Sequence, residues 1–139
     1  MNRLVAVSLL VIGTSGCATM LTSEEKQEYQ SYQAQGIAVQ VKNPAVGAVL
    51  GILPGCGSFY ARAYGWGVVN LLMWPFSMIW DPVSGYEGSI AINYYATQAA
   101  APRMAKDLSY LDDQLNVGLI TEQQYSRGKQ QLVSKYASE

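Results

Sequence analysis

Few residues of this chain have a type and a setting that could support chemistry. Cys17 and Cys56 are its only thiols, and its 139 residues include no histidine. Histidine is the commonest general base and the commonest metal ligand, so its absence removes both roles at once. The apolar centre contains no paired carboxylates, and the sequence shows no glycine-rich phosphate loop after a strand and no cluster of metal ligands. We therefore predict a chain without enzyme activity, cofactor or metal.

The residues that precede Cys17 predict export of the chain. Arg3 supplies one positive charge, residues 4–12 form a short apolar run, and Gly16 closes the small-residue stretch 13–16. This order is typical of a secretory signal peptide, and the apolar run is too short for a lasting membrane span. We predict a signal peptide at residues 1–16 that is cleaved after Gly16.

The sequence Ser15-Gly16-Cys17 resembles the lipobox of bacterial lipoproteins. The resemblance implies that the Cys17 sulfur receives a diacylglycerol, that a peptidase cuts before Cys17, and that the new amino group is acylated, as by palmitate. In that family Ala18, where inner-membrane lipoproteins have Asp, implies transfer to the outer membrane. Ordinary secretion with an incidental cysteine is the alternative.

Cys56 and Asp81 lack sequence neighbours that would activate them. Cys56 lies among apolar and small residues at 53–57, and the nearest basic residue is Arg62. A reactive thiol needs a basic neighbour, so we predict a small buried thiol in a tight turn. Residues 81–86, Asp-Pro-Val-Ser-Gly-Tyr, predict a turn. A catalytic Asp81 is the alternative, although no base, nucleophile or metal ligand is near it in the sequence.

The charge balance argues against a nucleic-acid partner. Loss of Arg3 with the signal leaves 8 basic against 10 acidic residues, a net charge of −2. Nucleic-acid binding depends on a basic surface that neutralises phosphates. Half of the residues are hydrophobic and only 14% are charged, which is a low charge content for a water-soluble domain.

The first element after the lipidation site is polar. Thr22 and Glu25 have the spacing of a capping box, and a Gln-rich helix is expected to continue from there to Gln35. Gly36 predicts its end. Residues 37–41 alternate apolar with small or polar side chains, which favours a short strand.

The centre of the chain has a different composition. Residues 45–61 and 64–80 are two stretches of seventeen residues without a charge. As helices they would form an apolar hairpin, each arm about 25 Å long at 1.5 Å per residue. Three glycines at every fourth position predict a helix-packing face, because a missing side chain lets a second helix approach closely. They are Gly47, Gly51 and Gly55.

Trp66 and Trp80 lie near opposite ends of the second arm, as aromatic anchors at a membrane interface would. We expect this hairpin to lie in or on a membrane, and a buried hairpin in a water-soluble core is the alternative. The centre also resembles the two-transmembrane-segment domain family over about forty residues. That resemblance implies topology rather than activity, and it rests on Leu53, Gly55, Gly57, Phe59, Tyr60, Gly65, Leu71, Leu72, Trp80 and Asp81.

The C-terminal segment predicts a second helical hairpin. Leu108, Leu111 and Leu115 share one helix face, Gly118 ends that helix, and Thr121 begins the next with a capping box. The segment resembles the SHOCT (short C-terminal domain) family, through Gly-Leu-Ile-Thr at 118–121 and the leucines around it. That resemblance implies oligomerisation or attachment to a partner, with the contact residues Leu111, Leu115, Ile120, Tyr125 and Leu132.

Together these patterns predict a mainly α fold in four parts. They are the signal peptide at 1–16, a lipidated tether and polar helix at 17–43, an apolar hairpin with a following Ala-rich helix at 44–103, and a SHOCT-like hairpin at 104–139. We expect a non-enzymatic envelope protein that contacts membrane lipid and associates with itself or with an envelope protein. The outer membrane is favoured over the inner. Two alternatives stay open: an accessory subunit of a transport or secretion complex, and an inner-membrane protein with two true spans.

Overall fold

Helices make up most of the structure, a computed structural model that describes residues 20–138. No strand occurs in this range, so the predicted mainly α fold is confirmed. The chain divides into two units, one with residues 42–91 and the described residues 20–23, the other with residues 24–41 and 92–138. The predicted signal peptide, its cleavage site at Gly16 and the lipidation site at Cys17 lie outside the described residues.

The helices that lie wholly in the first unit are short, and the longest helix begins in this unit and continues into the second. A 3-10 helix at Phe76–Ile79 precedes the longest one. In chain order the α-helices are α1 (Ser23–Ala34), α2 (Pro44–Leu50), α3 (Cys56–Tyr60), α4 (Tyr64–Leu72), α5 (Asp81–Asn116) and α6 (Glu122–Ser138).

The central segment is helical, but each of its two arms is divided into shorter helices instead of forming one helix of seventeen residues. The first arm breaks between α2 and α3, where Pro54 cannot donate a backbone hydrogen bond and Gly55 has a φ of 72°. The second arm ends its α-helix at Leu72 and continues past Pro75 only as the 3-10 helix. No helix within residues 20–138 has the length and apolar character to cross a membrane.

The predicted turn at residues 81–86 was wrong, because α5 begins at Asp81. Pro82 stands in the first turn of this helix, where a missing N–H costs nothing. The helix then runs without interruption through Pro102 to Asn116. The predicted domain boundary between residues 103 and 104 therefore falls inside one helix.

The predicted strand at residues 37–41 was wrong, because this segment has no regular secondary structure and its backbone N–H groups pair with side chains instead of a second strand. The N–H of Val39 donates to Thr97 Oγ1 at 2.9 Å, and the N–H of Val41 donates to Asn93 Oδ1 at 2.9 Å. Val39 is fully buried with Met104 and Tyr136 in the core of the second unit. Thr and Asn side chains on α5 thus take the place of a neighbouring strand.

The turn between the two helices of the C-terminal hairpin lies where the sequence predicts it. Gly118 adopts a φ of 74° just after α5. The capping box at the start of α6 is formed, since the N–H of Thr121 donates to Gln124 Oε1 at 2.8 Å and the N–H of Gln124 donates to Thr121 Oγ1 at 3.3 Å.

Tyrosine–glutamate hydrogen bonds hold α1 in the second unit. The hydroxyl of Tyr94 donates to Glu28 Oε2 at 2.8 Å, and that of Tyr95 donates to Glu25 Oε1 at 3.1 Å. Within α1, the hydroxyl of Tyr32 also donates to Glu28 Oε1 at 2.7 Å. Tyr29 packs edge-on against Tyr94, with ring centroids 6.4 Å apart. The hydrogen bonds from Tyr32 and Tyr94 lower the pKa of Glu28. The hydrogen bond to Glu28 in turn raises the pKa of Tyr94 to about 12.

We expect the docking of α1 to weaken in acid. Hydrogen bonds from Tyr32 and Tyr94 lower the pKa of Glu28 in the folded chain, so its contribution to stability is complete above the ordinary pKa of a glutamate and is lost as the pH falls through the lowered pKa. Glu28→Gln should therefore reduce the fall in thermal unfolding temperature between pH 7 and pH 3. Glu24→Gln, at an exposed position of the same helix, is the control. An equal acid response in wild type and Glu28→Gln would contradict this role.

A candidate functional site: a buried polar cluster beneath an apolar surface

The first unit is built around a small cluster of polar side chains. Asp81 and Ser58 are 0% exposed and Asn70 is 1% exposed. Asp81 Oδ1 accepts hydrogen bonds from the Ser58 hydroxyl at 2.5 Å and from Asn70 Nδ2 at 2.7 Å. Asn70 Nδ2 also donates to Ser58 Oγ at 2.9 Å. We call these three residues the polar cluster.

Asp81 caps a helix that is distant in the chain. Gly55 precedes α3 and has no side chain with which to cap it. The carboxylate of Asp81 supplies the cap, since Oδ2 accepts the N–H of Gly57 at 3.2 Å and Oδ1 accepts the N–H of Ser58 at 3.1 Å. A carboxylate at a helix N-terminus satisfies free N–H groups there and interacts favourably with the helix dipole. Asp81 thereby joins the start of α5 to the start of α3.

Trp80 closes the cluster on its outer side. Its indole N–H donates to Asn70 Oδ1 at 2.9 Å, while 38% of the residue stays exposed. The amide of Asn70 is thus bonded through both its oxygen and its nitrogen. Each buried charge or dipole here has a partner, which is the condition under which a polar group can be buried at low cost.

The arrangement suits structure better than catalysis. The hydroxyl proton of Ser58 already points to the carboxylate of Asp81, and no side chain of the cluster is reachable from outside. A general base or nucleophile must reach the atom that it attacks or deprotonates. Neither role is open to a sealed Ser58 or Asp81.

Glycines bring the helices of this unit into backbone contact. A Cβ at Gly47 would fall on the carbonyl oxygen of Gly85, and a Cβ at Gly51 would fall on the backbone of Pro82. Both glycines therefore face α5. The sequence predicted that Gly55 shares their helical face, and this was wrong. Gly55 lies between α2 and α3 with a φ of 72°, and it contacts the carbonyl of Gly67.

The outer surface of the unit is apolar. Leu72 is 80% exposed, Ile79 is 78% exposed and Phe76 is 67% exposed. The unit therefore has polar and glycine residues inside and large apolar side chains outside, the reverse of a water-soluble domain. Other large apolar residues on its exposed surface are Val46, Val49, Ile52, Leu53, Tyr64, Trp66, Val68, Val69, Leu71, Met73, Trp74, Met78, Trp80, Val83 and Tyr86.

The two predicted interface tryptophans and Cys56 lie at separate positions in the first unit. Trp66 lies in the first half of α4 and is 41% exposed, while Trp80 is joined to the polar cluster. Cys56 is the half-buried first residue of α3 and forms no disulfide within the described range.

The residues predicted to mediate oligomerisation lie in the C-terminal hairpin of the second unit. Leu111 packs against Gly128, and a Cβ added at Gly128 would lie 3.2 Å from Leu111 Cδ1. Leu111 and Leu132 also line a groove of about 480 Å³ with Lys106, Tyr110 and Lys135. Leu115, Ile120 and Tyr125 are half-buried in the same hairpin.

The polar cluster was not predicted from the sequence. Asp81 lies 23 residues from Ser58 and 11 from Asn70, so no local spacing links them. One usable signal was present, since Ser58, Asn70 and Ser77 are isolated polar residues in otherwise apolar stretches. All three are buried.

We found no family model that matches this chain, no matching curated protein and no matching solved structure. The resemblances to the lipobox, to the two-transmembrane-segment domain family and to the SHOCT family therefore stay predictions from the residues quoted for them.

Proposed function

We propose that this chain is a non-enzymatic, lipid-anchored envelope protein whose residues 42–91 contact membrane lipid. The observation that carries the proposal is the reversed polarity of the first unit. Its polar cluster is sealed inside, while side chains such as Leu72 and Ile79 point outward. In water such an exterior would be costly and prone to aggregation, whereas in lipid it is the ordinary exterior.

The interior of the unit has the packing that lipid demands. Apolar side chains gain little by leaving lipid for a protein interior, so helices associate there through close backbone contact and hydrogen bonds. Gly47 and Gly85 make the close backbone contact, and the hydrogen bonds are those of Asp81 with Ser58 and Asn70. A charged group such as Asp81 is tolerated in apolar surroundings when it is paired in this way.

The proposed anchor is the acylated Cys17, with Ala18 directing the protein to the periplasmic leaflet of the outer membrane. More than one acyl chain gives stable attachment by itself. The apolar unit is then free to serve assembly or membrane contact. The C-terminal hairpin, which resembles the SHOCT family, would join the protein to other copies or to an envelope protein. The two termini of the mature chain thus supply attachment and association.

Flotation of the protein with lipid vesicles tests the lipid contact. The mature sequence 17–139 carrying Cys17→Ser should float without acylation, and Leu72→Glu with Ile79→Glu should abolish flotation by placing two charges in the lipid-facing surface. The control variant carries Val117→Glu and Leu119→Glu, which alter residues that are 69% and 74% exposed in the other unit. Equal flotation of both double variants would overturn the proposed lipid contact.

The anchor has a separate test. The protein extracted from separated membranes should have an intact mass that begins at Cys17 and includes acyl chains, and it should be found in the outer-membrane fraction. An unmodified chain that starts elsewhere would remove the lipoprotein part of the proposal and leave the lipid contact of residues 42–91 to stand on the flotation result.

A further inference from the structure

The helices of the first unit run between two ends of different chemistry. Gly47 faces Gly85 and Gly51 faces Pro82, so α2 runs antiparallel to the beginning of α5. Ala61, just after α3, lies against Gly88. The end of α3 is therefore beside residue 88 of α5, farther along that helix than Pro82 and Gly85. The chain therefore enters at Lys42 and leaves at residue 91 on the same end of the unit.

That end carries three of the four charged residues of segment 42–91, the exposed Arg62 and the half-buried Lys42 and Glu87, and we call it the charged end. Lys42 Nζ lies 4.3 Å from the centre of the Tyr60 ring, and the Tyr60 hydroxyl accepts the N–H of Asn43 at 3.0 Å. Arg62 follows at once, exposed and with a φ of 61°. Glu87 lies one residue before Gly88 and is half-buried. Asp81, the fourth charged residue of segment 42–91, is sealed inside the unit.

The opposite end, which we call the apolar end, has no exposed charge within the described residues 50–55 and 70–80. It lies at the start of α5, where Gly51 meets Pro82 and Asn70 meets Asp81. Its exposed large apolar side chains are Ile52, Leu53, Leu71, Leu72, Met73, Trp74, Phe76, Met78, Ile79 and Trp80. Three of these, Leu72, Phe76 and Ile79, are among the most exposed apolar residues of the unit.

We propose that residues 42–91 insert into a single leaflet with the apolar end first and the charged end at the lipid phosphates. The proposal rests on the proposed function and adds depth and direction to it. Two helical stretches of the unit have about the length of one leaflet. At 1.5 Å per residue the nine residues of α4 span about 13.5 Å and residues 81–91 about 16.5 Å, against about 15 Å for half of a 30 Å hydrocarbon core.

The residues at the charged end suit the interface. Lys42 and Arg62 can place their charges among lipid phosphates while their aliphatic stems stay in apolar surroundings. Tyr64 and Trp66, at the start of α4, are exposed aromatic residues of the type that favours the headgroup level. Trp74 lies in the apolar end instead, which places two tryptophans of one short segment at different expected depths.

Quenching of tryptophan fluorescence by brominated lipids tests the direction of insertion. The mature protein is reconstituted into vesicles with bromine either near the headgroup or near the end of the acyl chain. Trp74→Phe should lower the quenching by the deep label, to which Trp80 also contributes, and Trp66→Phe should remove most of the quenching by the shallow label. Trp80 is kept in both variants, because its N–H supports Asn70.

The outcomes separate this inference from the proposed function. Equal depth for Trp66 and Trp74 would show a unit that lies flat on the bilayer, and the reverse order would show the opposite direction. Either result would overturn the inference and leave the lipid contact intact. Floating protein without any quenching would mean that residues 42–91 do not enter lipid, which would overturn the inference and the proposed lipid contact together. A chain that neither floats nor is quenched would overturn both.

Variants without the positive charges test the position of the charged end. Their binding to anionic vesicles is compared with their binding to neutral vesicles, a difference that loss of structure alone would not produce. Lys42→Gln with Arg62→Asn should weaken binding to vesicles of anionic lipid by about fivefold per charge and leave binding to neutral vesicles unchanged. Asparagine is chosen because it tolerates the positive φ at position 62. An equal loss on both vesicle types would overturn the placement of these residues at the phosphates.

Discussion

Replacement of Asp81 by alanine is expected to lower the stability of the first unit by about 3 kcal/mol or more. The carboxylate accepts hydrogen bonds from two backbone N–H groups, those of Gly57 and Ser58, and from the side chains of Ser58 and Asn70. Alanine would leave these donors buried without a partner, and each such group costs about 1–3 kcal/mol. The cap of α3 would be lost in the same step.

Unfolding of the reconstituted protein by heat or denaturant, followed by the fluorescence of its three tryptophans, measures this loss. Asp81→Asn should be intermediate, because the side-chain oxygen still accepts while the added NH₂ cannot. Asp113→Ala removes an exposed carboxylate from the same helix and should change stability by no more than about 0.5 kcal/mol. If Asp81→Ala is tolerated as well as Asp113→Ala, the polar cluster does not hold this unit together.

Predictions based on neighbouring residues were the ones that the structure confirmed. The polar helix α1, the end of α5 near Gly118 and the capping box at Thr121 depend on spacings of three or four residues. The strand predicted at 37–41 failed because its partners, Thr97 and Asn93, are side chains more than fifty residues away. Alternation of side chains indicates an extended backbone but does not say what that backbone pairs with.

The central segment shows the same limit. Its lack of charge indicated an apolar surface, which residues such as Leu72 and Ile79 form. Its seventeen-residue arms did not become helices of that length, because Pro54, Gly55 and Pro75 interrupt them. Because of these interruptions, short helices fold around a buried Asp81. A hairpin of two uninterrupted helices would not have this arrangement.

Gly85→Ala is expected to lower the stability of the first unit by about 1–3 kcal/mol, although alanine is the better helix former. The added Cβ would fall on the carbonyl oxygen of Gly47, and the reciprocal change at Gly47 would meet the carbonyl oxygen of Gly85. Both obstacles are backbone atoms, so no side-chain rotation can relieve the overlap. The two helices would have to separate, and the bonds of Asp81 near their contact would be strained with them.

Gly65→Ala is the matched control, since it makes the same chemical change in the short helix α4. A Cβ at Gly65 meets no heavy atom of the described residues within 4 Å, so only helix propensity remains, and stability should rise by up to about 1 kcal/mol. The two substitutions are therefore expected to differ in sign. Thermal unfolding of both variants in the same vesicles measures the difference. If Gly85→Ala stabilises the protein as Gly65→Ala does, the close approach of α2 to α5 is not what holds these helices together.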